Sequence, residues 1–302
     1  MARKPKYSKR AKREHRQGYL FITPALIITG IFIGLSVFFI IYLSFHKVNL
    51  FKGSYNPVGL KNYGRLFTDE TTRVAFKNTI LFSLVVVPIQ TCLALVIASV
   101  LNSKIKGKMA FRTIYFLPTL TSSSALTLIF MFMFNVNGPI NALLIKLGIY
   151  TTGVNFLSDP SFALKVIMVM NIWSTIPYYM TLYIANLQDL PASLYEAASI
   201  DGAGPVRIFF SIVLPYLKPM TTYVLLTGII GTLQMFDQAY IFSNGSGGPA
   251  NSTLTVSLLI YRYAFGTQNA MGFAATLAII LTVLIFIVSM LAQKANKSES
   301  LY

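Results

Sequence analysis

Several polar and aromatic side chains of this chain lie inside long apolar blocks of sequence. A polar group inside a membrane is costly, so each one there is a candidate for a functional site. Amides and carboxylates hydrogen-bond to hydroxyl-rich solutes such as sugars, and aromatic rings stack on the apolar faces of such solutes. The candidates for a solute pathway are Asn171, Trp173, Tyr178, Tyr179, Gln234 and Asp237.

The same residues also admit a structural interpretation. Asn and Gln in membrane helices join neighbouring helices through hydrogen bonds, and Trp and Tyr mark the membrane interface. Asn171 and Gln234 lie deepest in their blocks and rank first as pathway residues, whereas Asp237 lies near a block end, where water could solvate it. Pro177 predicts a kink in the fourth block.

The composition indicates a lipid environment around these residues. Of the 302 residues, 55% are hydrophobic and only 11% are charged. The net charge of +16 does not indicate a nucleic-acid surface, because eight of the 25 basic residues lie in the first 16 positions. A basic tail before an apolar block is what the positive-inside rule retains in the cytoplasm.

The blocks predict an all-α polytopic membrane protein with six transmembrane helices. A span needs about 20 mostly apolar residues. The predicted division is a basic cytoplasmic tail 1–18, a first transmembrane helix 19–45, an extracytoplasmic loop 46–77, a five-helix core 78–293 and a cytoplasmic tail 294–302. The five core spans are expected at 78–101, 111–134, 162–186, 219–241 and 272–293.

An even number of spans returns both termini to one side, which the basic tail predicts to be cytoplasmic. The loop 46–77 opposes this assignment, because it carries six Lys and Arg on the predicted outer side. Within that loop, 60–67 predicts a short interfacial helix. The outer segments 135–161 and 242–271 are rich in Asn, Gly, Ser and Pro and are expected to be irregular.

The cytoplasmic loop 187–218 predicts a rigid elbow of two short helices. Ser193 with Glu196 forms an S-x-x-E capping box for the first helix, and Asp201 with Gly202 predicts its end. The second helix is expected to begin at Gly204-Pro205 and to end near Leu214, before Pro215. We expect small residues to be exposed on the first limb, with Ile208, Phe209 and Ile212 exposed on the second.

This loop resembles the EAA loop of ABC-importer permeases. The matching residues are Glu196, Ala197, Ala198, Asp201, Gly202, Ala203, Phe209, Ile212, Leu214 and Pro215. The resemblance implies a type I ABC-importer permease fold whose coupling helices dock in a separate ATP-binding subunit. It implies that Glu196 contacts that ATPase, that Ala197 and Ala198 allow close approach, and that Gly202 makes the bend.

Other stretches are similar to the carbohydrate branch of these permeases, which includes the maltose and glycerol-3-phosphate transporters. They are 58–63, 78–79, 111–118, 138–141, 236–238 and 247–249. The Gly-Gly-Pro at 247–249 resembles the first of two sibling permeases. The implied partners are a second permease subunit, two ATP-binding subunits, an extracytoplasmic solute-binding protein and a sugar.

Two other classes of membrane protein fit the sequence less well than an ABC permease does. An ion-driven secondary transporter normally has repeated halves and buried ionisable residues, and we find no repeat here and one candidate acid. A membrane enzyme is not indicated, because His15 and His46 lie outside the blocks and no nucleophile constellation appears.

The sequence has no GxxxxGK[ST] loop, so no cofactor is expected and ATP and Mg must be bound by a partner. The single Cys92 excludes an internal disulfide.

Overall fold

The computed structural model describes residues 9–49, 53–102, 108–266 and 270–295. Over these ranges the chain is helical apart from its loops and one antiparallel hairpin, β1 (His46–Asn49) with β2 (Ser54–Pro57). The helices are α1 Lys9–Thr29, α2 Ser36–Ser44, α3 Lys61–Thr68, α4 Glu70–Asn102, α5 Lys108–Leu120, α6 Ser123–Met133, α7 Pro139–Lys146, α8 Ala163–Gln188, α9 Ala192–Ile200, α10 Pro205–Ile208, α11 Leu214–Tyr216, α12 Lys218–Leu233, α13 Asp237–Ser243, α14 Val256–Phe265 and α15 Met271–Ala295, with π-helical turns at Gly30–Leu35 and Phe209–Val213.

Four helical segments in the described part of the chain are long and apolar enough to cross a membrane. They are Arg13–Ser44, Glu70–Asn102, Lys218–Ser243 and Met271–Lys294. A fifth is possible if the bent pair Thr113–Leu120 and Ser123–Met133 forms one span. The segment 162–186, predicted as the fourth span, forms the 26-residue helix α8, which is long enough to cross a membrane but is not one of those four.

The third predicted span, 111–134, is not one straight helix. It is bent by 107° between α5 and α6. Pro118 lies in the last turn of α5 and lacks the N–H that would continue the helical hydrogen bonds. Ser122 then has an extended backbone and its side chain accepts a hydrogen bond from the Ala125 N–H at 3.2 Å, so it caps α6 and starts a new helix.

Helix α8 is the axis of the bundle. It packs lengthwise on α4, and both helices contact α12. One apolar cluster joins α4 and α8 to α14 and α15 through fully buried side chains such as Phe82, Ile167 and Leu258. A second cluster joins the other ends of α4 and α8 to the elbow, with Tyr183 and Leu217 at its centre. The two clusters hold opposite ends of α8.

The first span contributes little to this core. Within Arg13–Ser44, only Leu43 and Ser44 are buried, and large side chains such as Phe21, Phe32 and Phe38 are exposed. A long helix with apolar side chains all round suits lipid or another membrane helix as its surroundings.

The segment 46–77 is more ordered than the sequence predicts. The interfacial helix is present as α3, but the hairpin before it was not predicted, and α4 begins at Glu70, eight positions before the predicted start of the second span at 78. The Asn62 side chain holds α3 to the hairpin by donating hydrogen bonds to the carbonyl oxygens of Ser44 and His46, at 2.8 and 3.1 Å.

The prediction that 135–161 and 242–271 are irregular was wrong in part. These segments contain α7 and α14, respectively. The side chain of Thr255 caps α14 by accepting a hydrogen bond from the Leu258 N–H. At 10 residues, α14 is too short to cross a membrane by itself. The predictions for residues 1–8, 103–107 and 296–302, within the two tails and the basic loop after α4, lie outside the described residues.

Candidate solute pathway and coupling surface

A polar cavity of about 260 Å³ lies between the break that follows α12 and the start of α6. Its lining residues are Ser123, Asn171, Gly231, Gln234, Met235, Phe236, Asp237 and Gln238. A second cavity of about 200 Å³ shares Ser123 and Gln238 with it and extends along the bend between α5 and α6. The two helix breaks therefore line a solvent-accessible space within an otherwise apolar bundle.

Asn171 is the most buried amide of this cavity, with 8% of its surface exposed. Its Nδ2 donates a hydrogen bond to Gln238 Oε1 at 3.2 Å, which ties α8 to α13. Its Oδ1 has no hydrogen-bond partner among the described residues, and the same is true of the buried Ser123 Oγ. Buried polar atoms are normally paired, and these two atoms beside the cavity depart from that rule.

Gln234 lies in the break that opens the cavity, and Asp237 is the first residue of α13 after it. Helix α12 ends at Leu233, and Gln234 to Phe236 are not helical. The Thr255 hydroxyl donates a hydrogen bond to the Met235 carbonyl oxygen at 2.9 Å. This bond joins the non-helical segment between α12 and α13 to the start of α14. Both Gln234 and Asp237 are exposed toward the cavity.

The three aromatic candidates on α8 do not line this cavity. Trp173 packs on Phe130 with a ring-centroid distance of 5.6 Å. Tyr178 is exposed, and Tyr179 is buried close to Gly228 of α12. The structure thus brings together Asn171, Gln234 and Asp237 and separates them from Trp173, Tyr178 and Tyr179.

Sequence reasoning missed Ser123 as a cavity residue. A serine inside an apolar block is a weak signal, because its hydroxyl can bond to its own helix. The available signal was the run of four hydroxyl residues at 121–124. Gln90 joins neighbouring helices, as amides in membrane helices commonly do: its Oε1 accepts a hydrogen bond from Thr175 Oγ1 at 2.8 Å and links α4 to α8.

The elbow has the predicted bend. Helix α9 ends at Ile200, and Gly202 has a positive φ of 71°. The Ala203 N–H returns to the Ala198 carbonyl oxygen at 2.9 Å, which satisfies the end of the helix as a Schellman turn does. Gly204 is the N-cap of α10 and Pro205 takes its first position, as predicted.

Two details of the elbow differ from the prediction. Ser193 does not cap α9: the helix begins at Ala192, and the extended backbone of Pro191 occupies the N-cap position. The second limb does not end near Leu214 but continues to Tyr216. The π-helical turn Phe209–Val213 explains this, because the Leu214 N–H bonds to the Phe209 carbonyl oxygen and the wider turn accommodates the ring of Pro215.

The exposed face of the elbow is not the predicted one. Ile208, Phe209 and Ile212 turn inward and pack, with Leu214, against the cluster shared by α4 and α8. The exposed apolar side chains are instead Leu194, Ile200, Val206 and Phe210, of which Ile200 is 86% exposed. The physical reason is that the second limb lies directly on the bundle, so its most regular apolar stripe is used for packing.

The small and polar residues of the elbow divide between its surface and its interior. Glu196, Ala197, Asp201, Gly202 and Pro215 are exposed, Ala203 is partly buried and Ala198 is buried within this chain. The exposed side therefore combines one carboxylate pair, a glycine bend and four apolar side chains on a rigid support.

A helical bundle with a polar cavity between broken helices and an elbow at one end is compatible with a membrane permease. Residues 90–298 match the family described as "Binding-protein-dependent transport system inner membrane component", and the chain belongs to this family. It is a permease of the ABC-importer class and not an enzyme, since ATP hydrolysis belongs to separate subunits. The family is dependent on a solute-binding protein and is located in the inner membrane.

The chain is similar over nearly its whole length to curated permeases. It is 36% identical to the "Lactose transport system permease protein LacF" of Rhizobium radiobacter, covering 91% of this chain and 92% of that one. It is 34% identical to the "Multiple sugar-binding transport system permease protein MsmF" of Streptococcus mutans, covering 93% and 95%. It is also 34% identical to the "Trehalose/maltose transport system permease protein MalF" of Thermococcus litoralis, covering 92% and 94%.

The fold is that of a solved importer. A chain of the "bacterial alginate ABC transporter in complex with alginate pentasaccharide-bound periplasmic protein" superposes with a TM-score of 0.82 at 20% identity, covering 94% of this chain and 95% of that one. A chain of a second alginate-importer structure superposes with a TM-score of 0.77.

Proposed function

We propose that this permease moves a sugar, in the form of an oligosaccharide, into the cytoplasm by alternating access. The observation that carries the proposal is the cavity between the two helix breaks, with the amide of Asn171, the amide of Gln234 and the carboxyl of Asp237 on one lining. Amides and a carboxylate suit a ligand that carries many hydroxyl groups.

The similar permeases support a sugar as the solute. Their names specify lactose, multiple sugars, trehalose and maltose, and arabinooligosaccharides. A further relative is named for sn-glycerol-3-phosphate. A phosphate ester would favour Lys or Arg in the cavity, and the lining has neither among the described residues.

The chain works as one half of a permease pair, with two ATP-binding subunits and an extracytoplasmic solute-binding protein. Its N- and C-termini lie in the cytoplasm, which places the elbow on the side of the ATPase. In this arrangement Glu196 and Ala197 contact the ATPase, and Gly202 sets the angle between the limbs. Phe209 and Leu214 transmit the movement, because they join the elbow to the cluster around α4 and α8.

Uptake by the reconstituted complex tests the proposal. Proteoliposomes holding both permeases, the ATPase and the binding protein would be offered radiolabelled lactose, maltose, trehalose or arabinotriose, with and without internal ATP. ATP-dependent accumulation of at least one sugar is expected. Accumulation of glycerol 3-phosphate and of none of the sugars would overturn the assignment of the solute.

A further inference from the structure

Four aromatic rings form a connected group between the polar cavity and the exposed end of α14. We infer that Phe236, Tyr240, Tyr261 and Phe265 form an aromatic track that binds successive rings of an oligosaccharide on its way to the cavity. This inference rests on the proposed function, because it assigns a binding surface to the same solute.

Each of the four rings contacts at least one other ring of the group. The centroid of Tyr261 lies 5.3 Å from that of Phe236, 5.3 Å from that of Tyr240 and 5.4 Å from that of Phe265. Phe236 and Tyr240 are 5.5 Å apart. All four distances lie in the range of direct aromatic contact. Tyr261 is therefore the central ring, in contact with the other three.

The track begins at the cavity and ends at an exposed ring. Phe236 is part of the cavity lining, next to Gln234 and Asp237. At the other end Tyr261 is 38% exposed and Phe265 is 68% exposed. The proposed orientation puts this end on the outer side, where a binding protein releases its solute.

Helix α14 carries its exposed aromatic residues on one face and its core-packing residues on the other. Leu258, Leu259 and Tyr263 are buried in the core, with Tyr263 only 4% exposed. Tyr261 and Phe265 are four residues apart, so they share the other face of the helix. Core packing does not account for two exposed rings on a helix whose opposite face already fills the core.

The track has a fixed position relative to the cavity. Arg262 Nη1 donates a hydrogen bond to the Ser246 carbonyl oxygen at 2.8 Å, which ties α14 to the turn after α13. The bond from Thr255 to Met235 fixes the start of α14 to the break that opens the cavity. Because Phe236 and Tyr240 lie at that break and on α13, the four rings move as one unit with the cavity lining.

The exposed sides of Tyr261 and Phe265 offer apolar surface on which sugar rings stack, as nucleic-acid bases do on aromatic platforms. Stacking requires no particular hydroxyl pattern, so it allows a sugar to slide. The amides and carboxylate of the cavity then supply the hydrogen bonds that fix its identity. The alternative function for exposed Tyr and Phe is an interfacial belt facing lipid.

Uptake kinetics of the complete transporter distinguish these functions. Phe265→Ala should raise the KM for the transported sugar of the panel above by about three- to tenfold, the size expected for one stacking contact. Tyr261→Ala should raise it further, and Tyr261→Phe should retain most of the affinity because the ring face remains.

Phe286→Ala is the matched control, because Phe286 is 64% exposed on α15, away from the track. An equal KM for Phe265→Ala and Phe286→Ala would overturn the track, as would a Tyr261→Phe variant as weak as Tyr261→Ala. Maleimide labelling of Phe265→Cys in a Cys92→Ser background is an independent readout: saturating sugar should protect the thiol, and undiminished labelling also contradicts the track. Failure of the unaltered transporter to take up any sugar would instead refute the proposed function.

Discussion

Asn171 of α8 and Gln238 of α13 meet across the cavity through a hydrogen bond of 3.2 Å from the Asn171 Nδ2 to the Gln238 Oε1. The Asn171 Oδ1 has no hydrogen-bond partner in the part of the chain that the structure describes. It also joins the axis of the bundle to the segment after the broken fifth span. A solute that bonds to Asn171 is therefore in contact with α8 and is linked to α13 through the Asn171–Gln238 hydrogen bond.

Asn171→Ala should weaken sugar uptake several-fold and change the preference among sugars, while basal ATP hydrolysis is unaffected. The reason is that a neutral hydrogen bond contributes about 0.5–1.5 kcal/mol. The variant also releases Gln238, so its effect should be non-additive with Gln238→Ala in a double-mutant cycle. The measurement is KM for each sugar.

Asn186→Ala is the control for Asn171→Ala, since Asn186 lies on the same helix near its other end and outside the cavity. Unchanged KM values for every sugar in Asn171→Ala would remove this residue from the pathway.

Gly202→Val should reduce both transport and sugar-stimulated ATP hydrolysis while membrane insertion remains normal. No atom of the described residues lies within 4 Å of an added Cβ, so the difficulty is the positive φ of 71° and not space. A left-handed conformation costs roughly 1–2 kcal/mol for a residue with a Cβ, and more for a β-branched one. Gly204→Ala is the control, because Gly204 also has open space around it but a negative φ of −72°. Equal activity of the two variants would contradict a role for the bend.

Glu196→Lys should abolish coupling and leave the folded permease intact. Glu196 is exposed on α9 and forms no ion pair among the described residues, so its replacement removes no internal contact. The variant should retain its Tm in detergent but lose association with the ATPase, measured by co-purification. Normal association and uptake would show that this surface does not dock the ATPase.

Gly228→Ala should destabilise the contact between α4 and α12. An added Cβ would lie 2.7 Å from the Gln90 Nε2, so the helices must separate or Gln90 must move. Overpacking of this kind costs typically 1–3 kcal/mol, which we expect to lower the Tm by several degrees. Gly64→Ala, with open space around it, should leave the Tm nearly unchanged. A stable Gly228→Ala variant would contradict the close approach.

Protonation of the Asp69 carboxyl should make the permease less stable in acid. Burial opposes ionisation of its carboxyl, but hydrogen bonds from the Thr72 hydroxyl and N–H, together with the Arg65 charge, outweigh burial, so the pKa of Asp69 lies below its ordinary value of 3.8. A lowered folded pKa contributes stability that is present above the unfolded value and is lost as the pH falls through the folded one.

The Tm of the unaltered chain should therefore fall more steeply below about pH 4 than that of Asp69→Asn, and thermal scans in detergent measure it. Glu70→Gln is the control, since its ion pair with Arg73 is about 80% exposed on both sides and should contribute little. Parallel acid profiles for the unaltered chain and Asp69→Asn would refute this role.

Local sequence rules predicted the positions of the helices better than their continuity. The bend at Gly202 and the start at Pro205 were predictable because a single residue type determines each. The break at Thr121 and Ser122 was not, since a run of hydroxyl residues within an apolar block is compatible with a continuous helix.

The candidate site was predictable only in part for a related reason. Asn171, Gln234 and Asp237 could be selected because polar side chains are costly in apolar surroundings. Which of the aromatic side chains joined them depended on the packing of α8 against α4 and α6. The direction of the elbow's apolar face likewise depended on the bundle beneath it, which periodicity within 205–216 does not specify.

The most direct test is to purify the tagged chain from native membranes in mild detergent and to identify and count its partners by mass spectrometry. The result shows whether the chain is part of an ATP-driven importer. If the chain is half of an ATP-driven importer, a second permease is recovered in equal amount and an ATP-binding subunit at two copies per complex. Recovery of the chain alone, or only with copies of itself, would contradict ATP-coupled import and favour a carrier driven by an ion gradient.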